Sequence, residues 1–121
     1  MAEAVAPLWI SEAEVVALLD LRGAIDAVER GLVAEAQGAA RSMLKTHVAW
    51  GDGDTLHAIG AVWPQAGAAG SKTWAHTPGG ATPLLILFDA RGGGLLAVIE
   101  AFALGQLRTA AVSGVATRHM A

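Results

Sequence analysis

The sequence predicts an α+β fold, with helices at the N-terminus, a largely antiparallel sheet of about five to six strands, and a helix at the C-terminus. Three observations support this prediction. Apolar residues recur at helical spacing over residues 21–32, the pattern changes to alternation by two over residues 42–63, and short apolar runs then lead into a helical stretch at 104–120. Helices followed by strands and then by a helix are typical of α+β proteins.

The N-terminal helices carry start and stop signals. Ser11 and Glu14 have the spacing of a capping box, in which each side chain accepts a hydrogen bond from the other residue's backbone N–H. A short helix should therefore follow Ser11. A second helix is predicted to begin near Asp20 and to stop at Gly38. Its apolar face consists of residues at helical spacing, namely Leu21, Ile25, Val28 and Leu32.

A hairpin is predicted in the middle of the chain. Residues 42–50 alternate in polarity, as expected of a strand, and residues 51–54 (Gly-Asp-Gly-Asp) form a strong turn signal. Residues 55–63 then return as a second strand. The small residues of 65–71 are predicted to form a loop.

The remaining elements follow from apolar runs and glycine turns. Residues 72–77 should form a short strand that ends at Pro78-Gly79-Gly80. Residues 84–88 and 95–99 are predicted strands joined through the turn at Gly92-Gly93-Gly94. A helix should extend from about Leu104 to Met120.

Composition narrows the class of protein. The chain has 121 residues, of which 54% are hydrophobic and 16% charged, a balance too apolar for disorder and somewhat apolar for a small monomer. Some apolar surface is therefore expected to meet a partner, most simply a second copy in a homodimer. A net charge of −3 gives no reason to expect nucleic acid or an anionic membrane as a ligand.

The expected location is the cytoplasm. There is no cysteine, hence no disulfide framework and no thiolate metal site. The segment from Met1 to Pro7 lacks a basic region and a long apolar run, so it is not predicted to be a signal peptide. The apolar stretches around 84–88 and 95–104 are too short to span a bilayer, which predicts a soluble protein.

Two familiar nucleotide-binding motifs are absent. The run from Gly67 to Thr73 (Gly-Ala-Ala-Gly-Ser-Lys-Thr) resembles a P-loop, but Ser71 separates the glycine from Lys72 and a strand is predicted to follow. A P-loop needs the glycine directly before the lysine, so that backbone N–H groups and the ammonium converge on one phosphate. No G-x-G-x-x-G occurs either, and so the chain by itself is not expected to bind a dinucleotide appreciably. The four histidines lack ligand spacing, and no metal site is predicted.

Arg108 is the first candidate for a binding residue. It is predicted to lie in the first turn of the C-terminal helix, where the helix dipole disfavours a cation unless an anion is bound between the arginine and the free N–H groups. The alternative is a surface arginine that extends its charged end into water or pairs with Glu100. The position of Arg108 in the helix does not by itself decide between an anion-binding arginine and a surface arginine.

Other cations lie along the predicted strands. Lys72 shares a strand face with Trp74 and His76, and Arg41, Lys45 and His47 share another. Several cations on one sheet face could line a pocket for a carboxylate. For each of them singly, a solvated sheet face is the simpler alternative.

The chain also resembles a known family. The segments Leu87–Asp89, Leu96–Glu100 and Leu107–Ser113, the last containing Arg-Thr-Ala-Ala, are similar to the corresponding region of the ornithine cyclodeaminase/mu-crystallin family. Upstream, Arg41, the pair Trp63-Pro64 and Lys72 fall where that family has its substrate arginine, a Met-Pro pair and a lysine. The resemblance covers nearly the whole chain.

The resemblance implies roles for individual residues. Arg41 and Lys72 would hold the carboxylate of the substrate, Lys72 would also be catalytic, and Arg108 would lie close to both substrate and cofactor. The cofactor, NAD or NADP, would be touched from this domain by Gly80, Ala81, Arg108 and Thr109. The sequence departs from the family pattern at two places, and both affect the assignment of these residues. Trp63 replaces the family's methionine, and the connection from residue 72 to 83 is short, which makes Thr82 an alternative to Gly80 and Ala81.

The resemblance further implies that residues 1–121 are a substrate-binding and dimerisation domain, and that a Rossmann domain would follow it. The intact enzyme would move a hydride between a nicotinamide and the Cα of an amino or imino acid, and cyclodeaminases add ring closure with loss of ammonia. This domain alone would be inactive. Two alternatives are a non-catalytic small-ligand-binding protein of the mu-crystallin type and a structural dimerisation module.

Overall fold

The computed structural model of the protein describes residues 6–121 and contains three α-helices, one 3-10 helix and eight strands. The helices are α1 (Glu12–Leu18), α2 (Leu21–Ala36) and α3 (Phe102–Met120), and the 3-10 helix is Pro64–Ala66. The strands are β1 (Leu8–Ile10), β2 (Arg41–Ser42), β3 (Thr46–Trp50), β4 (Asp54–Trp63), β5 (Ala68–Thr77), β6 (Gly80–Ala81), β7 (Leu84–Asp89) and β8 (Leu95–Glu100). The prediction for Met1 to Pro7 concerns a segment whose first five residues lie outside the described residues.

The strands form one mixed sheet in the order β1-β8-β7-β5-β4-β2, with β3 also paired to β4 and β6 to β5. Only β1 and β8 run parallel among the pairs of the described chain, and the others are antiparallel. The predicted α+β class and order of elements are thus confirmed. The strand number exceeds five to six because β1, β2 and β6 have only two or three residues, too few to show alternation in the sequence.

The predicted starts and stops of the first two helices are confirmed. Ser11 Oγ accepts a hydrogen bond from the backbone N–H of Glu14 at 3.2 Å, and the Glu14 carboxylate accepts one from the backbone N–H of Ser11 at 3.3 Å. The Asp20 carboxylate caps α2 by accepting from the N–H of Gly23 at 2.8 Å. Gly38 follows α2 with a φ of +77°, which glycine adopts without strain.

The loop predicted over residues 65–71 is wrong. A 3-10 helix occupies Pro64–Ala66, Gly67 turns the chain at φ +72°, and β5 begins at Ala68. The small residues of β5 are hydrogen-bonded on both edges, to β4 and to β7. Pairing on two edges outweighs the low strand propensity of alanine and glycine, because propensity in sheets depends on context.

The strand predicted over residues 42–50 is divided in the structure. Residues 43–45 separate β2 from β3. Within this segment the backbone N–H of Met43 donates a hydrogen bond to the carbonyl of Gly60 on β4 at 2.8 Å. A side-chain Cβ on Gly60 would lie 2.5 Å from the Gly70 carbonyl oxygen, so only glycine fits where β4 and β5 approach. The interruption places Lys45 in an irregular segment at the edge of the sheet.

The start of α3 is held by a carboxylate from the other end of the chain. Glu12 accepts hydrogen bonds from the N–H groups of Phe102 and Ala103 at 2.9 and 3.0 Å. In return, Glu100 accepts from the N–H of Glu12 at 2.9 Å and from the indole of Trp9 at 2.8 Å. The bonds from Trp9 and then from Glu12 lower the pKa of Glu100. This reciprocal capping ties α1, β8 and α3 together.

One face of the sheet is covered by helices and the other is open. The face that carries Lys72 and Trp74 lies under α3, while the opposite face carries Trp9, Val48 and Leu56, which are 58%, 66% and 49% exposed. The chain exposes 8343 Å², against about 6,100 Å² for a compact monomer of this mass. The buried apolar residues within 6–121 are small, being valines and alanines.

We predict that Glu12→Ala destabilises the protein, because it leaves the first N–H groups of α3 without their acceptor. The free energy of unfolding should fall by about 1–2 kcal/mol, the usual effect of losing a helix cap. Urea unfolding followed by circular dichroism measures this change. Asp52→Ala, in the exposed turn between β3 and β4, is the matched control and should alter stability little. Equal stability of the two variants would contradict the capping role.

Candidate functional site

Three cations converge between the sheet and α3. Lys45, Lys72 and Arg108 line one cavity of about 400 Å³, and its remaining walls are apolar or small, formed by Ile59, Trp74, Leu85, Leu104, Gly105 and Thr109. Lys72 lies at the centre of the sheet, where it is flanked by Ile59 on β4 and Leu85 on β7. The strand register thus places Lys72 between two aliphatic neighbours, directly under the helix.

A second cavity of about 610 Å³ adjoins the first and shares Lys72, Trp74, Gly105 and Thr109 with it. Its other lining residues are Ala81, Pro83, Ala101, Phe102, Gln106, Ala110 and Ser113. A Cβ added to Gly105 would lie 3.6 Å from Lys72 Nζ, an ordinary contact distance, so the backbone of α3 passes close to the ammonium here. Lys72 therefore stands where the two cavities meet.

Trp74 forms the platform beneath two of the cations. Lys72 Nζ lies 5.0 Å and Lys45 Nζ 5.4 Å from the centre of the indole, within the range of cation–π attraction. The indole also stacks on His57, with ring centres 4.8 Å apart, and His57 stacks on His47. This row of rings follows the direct cross-strand pairing of β3, β4 and β5.

The electrostatics of the site favour an anion. Partial burial, then Arg108, then Lys45 lower the pKa of Lys72. Partial burial, and next the charge of Lys45, also lower the pKa of His57. Neither cavity is lined by an aspartate or a glutamate, as far as the described residues go. Of the three cations Lys72 is half-buried, while Lys45 and Arg108 are exposed. A half-buried cation without a carboxylate counter-ion is stabilised when an anion binds.

The position predicted for Arg108 is wrong. The helix α3 begins at Phe102, so Arg108 lies in the second turn, beyond the reach of the free N–H groups. The start was misplaced because Glu12, remote in sequence, supplies the cap. The pairing of Arg108 with Glu100 is also wrong, since Glu100 accepts from Trp9 and Glu12 and no carboxylate of residues 6–121 forms an ion pair with Arg108.

Arg41 lies in a neighbouring cavity of about 310 Å³, and Lys72 does not line that cavity. Glu35, Trp63 and Arg108 are among the residues that line it. Arg108 lines this cavity and the one of the cation cluster, so it connects Arg41 to the rest of the predicted site. The structure therefore brings Lys72 and Arg108 together and sets Arg41 to one side.

Of the residues predicted to touch a cofactor, some line the larger cavity and others do not. Ala81 and Thr109 line the larger cavity, whereas Gly80 does not. Gly80 pairs with Thr77 in the sheet and has a φ of +107°. The roles assigned to all of these residues stay predictions.

The sequence analysis missed the polar side chains that α3 presents to the larger cavity. Gln106 and Ser113 lie on the same helix face as Thr109 because they are three or four residues away from it. A polar stripe at this spacing in an apolar helix was a usable signal. Lys45 was noted in a group of strand cations, but its place beside Lys72 depends on how β3 and β5 pair with β4, which the sequence does not show.

The described part of the chain has neither a metal-ligand cluster nor a membrane-spanning helix. No group of three or more histidine and acidic side chains there could hold a metal ion. None of the helices found between residues 6 and 121 has both the length and the apolar character needed to cross a membrane.

Comparison with known proteins identifies the family. The sequence profile described as "Ornithine cyclodeaminase/mu-crystallin family" matches residues 6–121. The chain belongs to this family. A comparison with curated protein sequences finds no significant match.

Several solved structures share the fold of this chain. A probable ornithine cyclodeaminase from Bordetella pertussis Tohama I is 28% identical with a TM-score of 0.83, over 89% of this chain and 34% of that one. An archaeal alanine dehydrogenase dimer with bound NAD is 30% identical with a TM-score of 0.82, over 89% of this chain and 35% of that one.

The fold is also similar to that of the Δ1-pyrroline-2-carboxylate reductase of Thermococcus litoralis, in complex with NADH and L-proline. Its TM-score is 0.84 at 24% identity, over 91% of this chain and 36% of that one. The chain thus spans about a third of the length of these proteins.

We predict that Lys72→Met raises the melting temperature at neutral pH. The pKa of Lys72 is lower in the folded protein than the ordinary value of 10.5, so its positive charge opposes folding. This destabilisation is complete below the folded pKa and disappears as the pH rises above 10.5. The advantage of the variant should shrink over the same range. Differential scanning calorimetry at several pH values measures it.

Arg91→Met is the matched control, because Arg91 is exposed in the turn between β7 and β8, away from both cavities. Its melting temperature should follow that of the unmodified protein at every pH. A lower melting temperature for Lys72→Met than for the control would show that the lysine contributes to the fold rather than to a ligand site.

Proposed function

We propose that this chain is the substrate-binding and dimerisation domain of an NAD(P)-dependent enzyme that transfers a hydride at the Cα of an amino or cyclic imino acid. The observation that carries the proposal is the convergence of Lys72 and Arg108 on one cavity with no carboxylate in its described wall. Membership of the family supports it. The nicotinamide cofactor would be held mainly by a Rossmann domain outside residues 1–121.

The proposed ligand of the cations is the carboxylate of the substrate. Arg108 offers a planar, always charged fork suited to a carboxylate, and Lys72 offers a compact ammonium above the Trp74 ring. Arg41 would assist from the adjoining cavity, on the far side of Arg108. Holding one end of the substrate at fixed points orients Cα, and such positioning lowers the barrier to reaction.

Lys72 is the proposed catalytic residue. Partial burial and the neighbouring cations lower its pKa, which eases the loss of a proton from its ammonium. A lysine tuned in this way is suited to general acid–base chemistry. Its Nζ would exchange a proton with the substrate nitrogen next to Cα. The aliphatic side chains of Ile59 and Leu85 on either side restrict the access of water.

The larger cavity has room for part of a cofactor. Ala81 and Thr109 lie in its wall, and a Cβ added to Gly80 would meet no heavy atom within 4 Å, so the surface beside it is open. Gly80, Ala81, Arg108 and Thr109 would contact NAD or NADP, which supplies the hydride acceptor or donor. This chain would bind the dinucleotide only weakly by itself, since it lacks the G-x-G-x-x-G turn.

We predict that Arg108→Ala in the intact enzyme lowers kcat/KM by about one hundredfold, because a hydrogen bond to a charged group contributes up to about 3 kcal/mol. Arg108→Lys should restore only part of this loss, since an ammonium cannot reproduce the fork. Steady-state rates with NAD(P) and an amino acid substrate measure the effect.

Melting curves of the same variants are the control for folding, and Arg91→Ala is the matched control for the loss of an arginine. Folding should be nearly intact in all of them, since Arg108 has no ion pair to lose within the described chain. A stable and fully active Arg108→Ala enzyme would contradict the site. An intact protein that binds an amino acid without turnover would favour the non-catalytic, mu-crystallin-like alternative.

The open sheet face supports the proposal of a homodimer. Val48 and Leu56 pair across β3 and β4 and remain exposed on the side away from the helices. Contiguous exposed apolar surface of this kind commonly marks a protein interface. The same exposed face also favours the alternative that the chain is a structural dimerisation module without a catalytic role. Catalytic turnover by the intact protein would distinguish the enzyme from this alternative.

We predict that the chain is dimeric at high micromolar concentration and that Leu56→Glu weakens the dimer at least tenfold, or by about 1.4 kcal/mol. A buried carboxylate without a partner opposes association. Light scattering over a range of concentrations measures the dissociation constant. Leu18→Glu on α1, where the leucine is 76% exposed, is the matched control and should leave the dimer intact. A strict monomer in the unmodified protein would contradict the proposed interface.

A further inference from the structure

One cation of the cluster, Lys45, has no role in holding the carboxylate next to Cα. Lys72 and Arg108 suffice to hold one carboxylate, yet Lys45 lines the same cavity. No aspartate or glutamate lies in this wall or in that of the adjoining larger cavity, for the residues that the structure describes. A ligand with one negative group would leave the exposed Lys45 unpaired beside Lys72, which is half-buried, and like charges this close repel each other.

Lys45 is an exposed residue that reaches this site from the edge of the sheet. Its backbone lies in the irregular segment between β2 and β3, but its ammonium lies 5.4 Å from the centre of the Trp74 ring. Lys72 Nζ lies 5.0 Å from the same ring centre. The two ammonium groups are therefore held near one ring, where two ends of one short ligand could reach both.

The rest of the cavity wall suits the carbon chain between two anionic groups. Ile59 and Leu85 flank Lys72 and offer aliphatic surface rather than hydrogen-bond acceptors. A substrate whose side chain ends in an ammonium would meet Lys45 as a like charge, with no acceptor in the wall to offset the repulsion.

We propose that the site takes a short dicarboxylic amino or imino acid, with Lys72 and Arg108 on the carboxylate next to Cα and Lys45 on the carboxylate of the side chain. This inference rests on the proposed function, and it adds Lys45 as the residue that determines specificity. It excludes diamino acids as preferred substrates, because their side chain carries the same charge as Lys45.

Calorimetric titration of the protein with succinate and with propionate tests the inference. The two acids carry two carboxylates and one, so their comparison isolates the second anionic group. Succinate should bind at least about tenfold more tightly than propionate, as expected for one additional charge-assisted contact. Lys45→Met should remove most of this difference, chiefly by weakening succinate. Arg91→Met is the matched control and should preserve the difference.

The outcomes separate this inference from the proposed function. If propionate binds as tightly as succinate, or if Lys45→Met leaves the difference unchanged, the inference is overturned while the carboxylate site stands. If Lys72→Met leaves the binding of both acids unchanged, or if neither acid binds to the unmodified protein, the proposed site itself is overturned. Circular dichroism of each variant verifies that the fold is retained, and Lys45 lies outside the strands, so its replacement breaks no sheet pairing.

Discussion

The rest of the structure depends on hydrogen bonds accepted by two glutamates that are far apart in sequence. Glu12 accepts from the backbone N–H groups at the start of α3, and Glu100 accepts from the backbone N–H of Glu12. The residue at the N-cap of α3, Ala101, has no side chain able to cap the helix, and Glu12 supplies the acceptors instead. Because an α-helix is rigid and rises about 1.5 Å per residue, anchoring its first turn fixes every residue along it. Arg108 is thereby placed over Lys72, although neither residue contacts the cap.

The site combines charges that repel one another with a platform that attracts them. Trp74 draws Lys45 and Lys72 to one ring, while partial burial and mutual repulsion disfavour the charge on Lys72. Such an arrangement sacrifices stability in the free protein and recovers it when an anion binds, a relation common at functional sites. All three cations line the smaller cavity and Lys72 also lines the larger one, with no carboxylate in the described walls.

The core is small and the exposed area large, which agrees with the proposed association of two copies. The buried side chains are mostly alanines, such as Ala97 on β8 and Ala111 on α3, which allow close approach but bury little apolar area each. Large side chains such as Trp9 and Val48 remain exposed instead. A domain that spans about a third of its structural relatives, with an open apolar sheet face, is suited to gain stability from further contacts.

Local signals in the sequence determined much of the fold. The capping box at Ser11, the cap at Asp20 and the stop at Gly38 act within one helical turn, so they could be predicted directly. The change from helical spacing to alternation predicted the fold class, and the motif around Arg108 indicated the family. The start of α3, the strand at Ala68 and the place of Lys45 depended on partners far along the chain. Glu12 caps a helix ninety residues away, and β4 and β7 hold β5 on both edges. Only tertiary structure could decide these features, because hydrogen bonds and charges at such separations in sequence leave no local pattern.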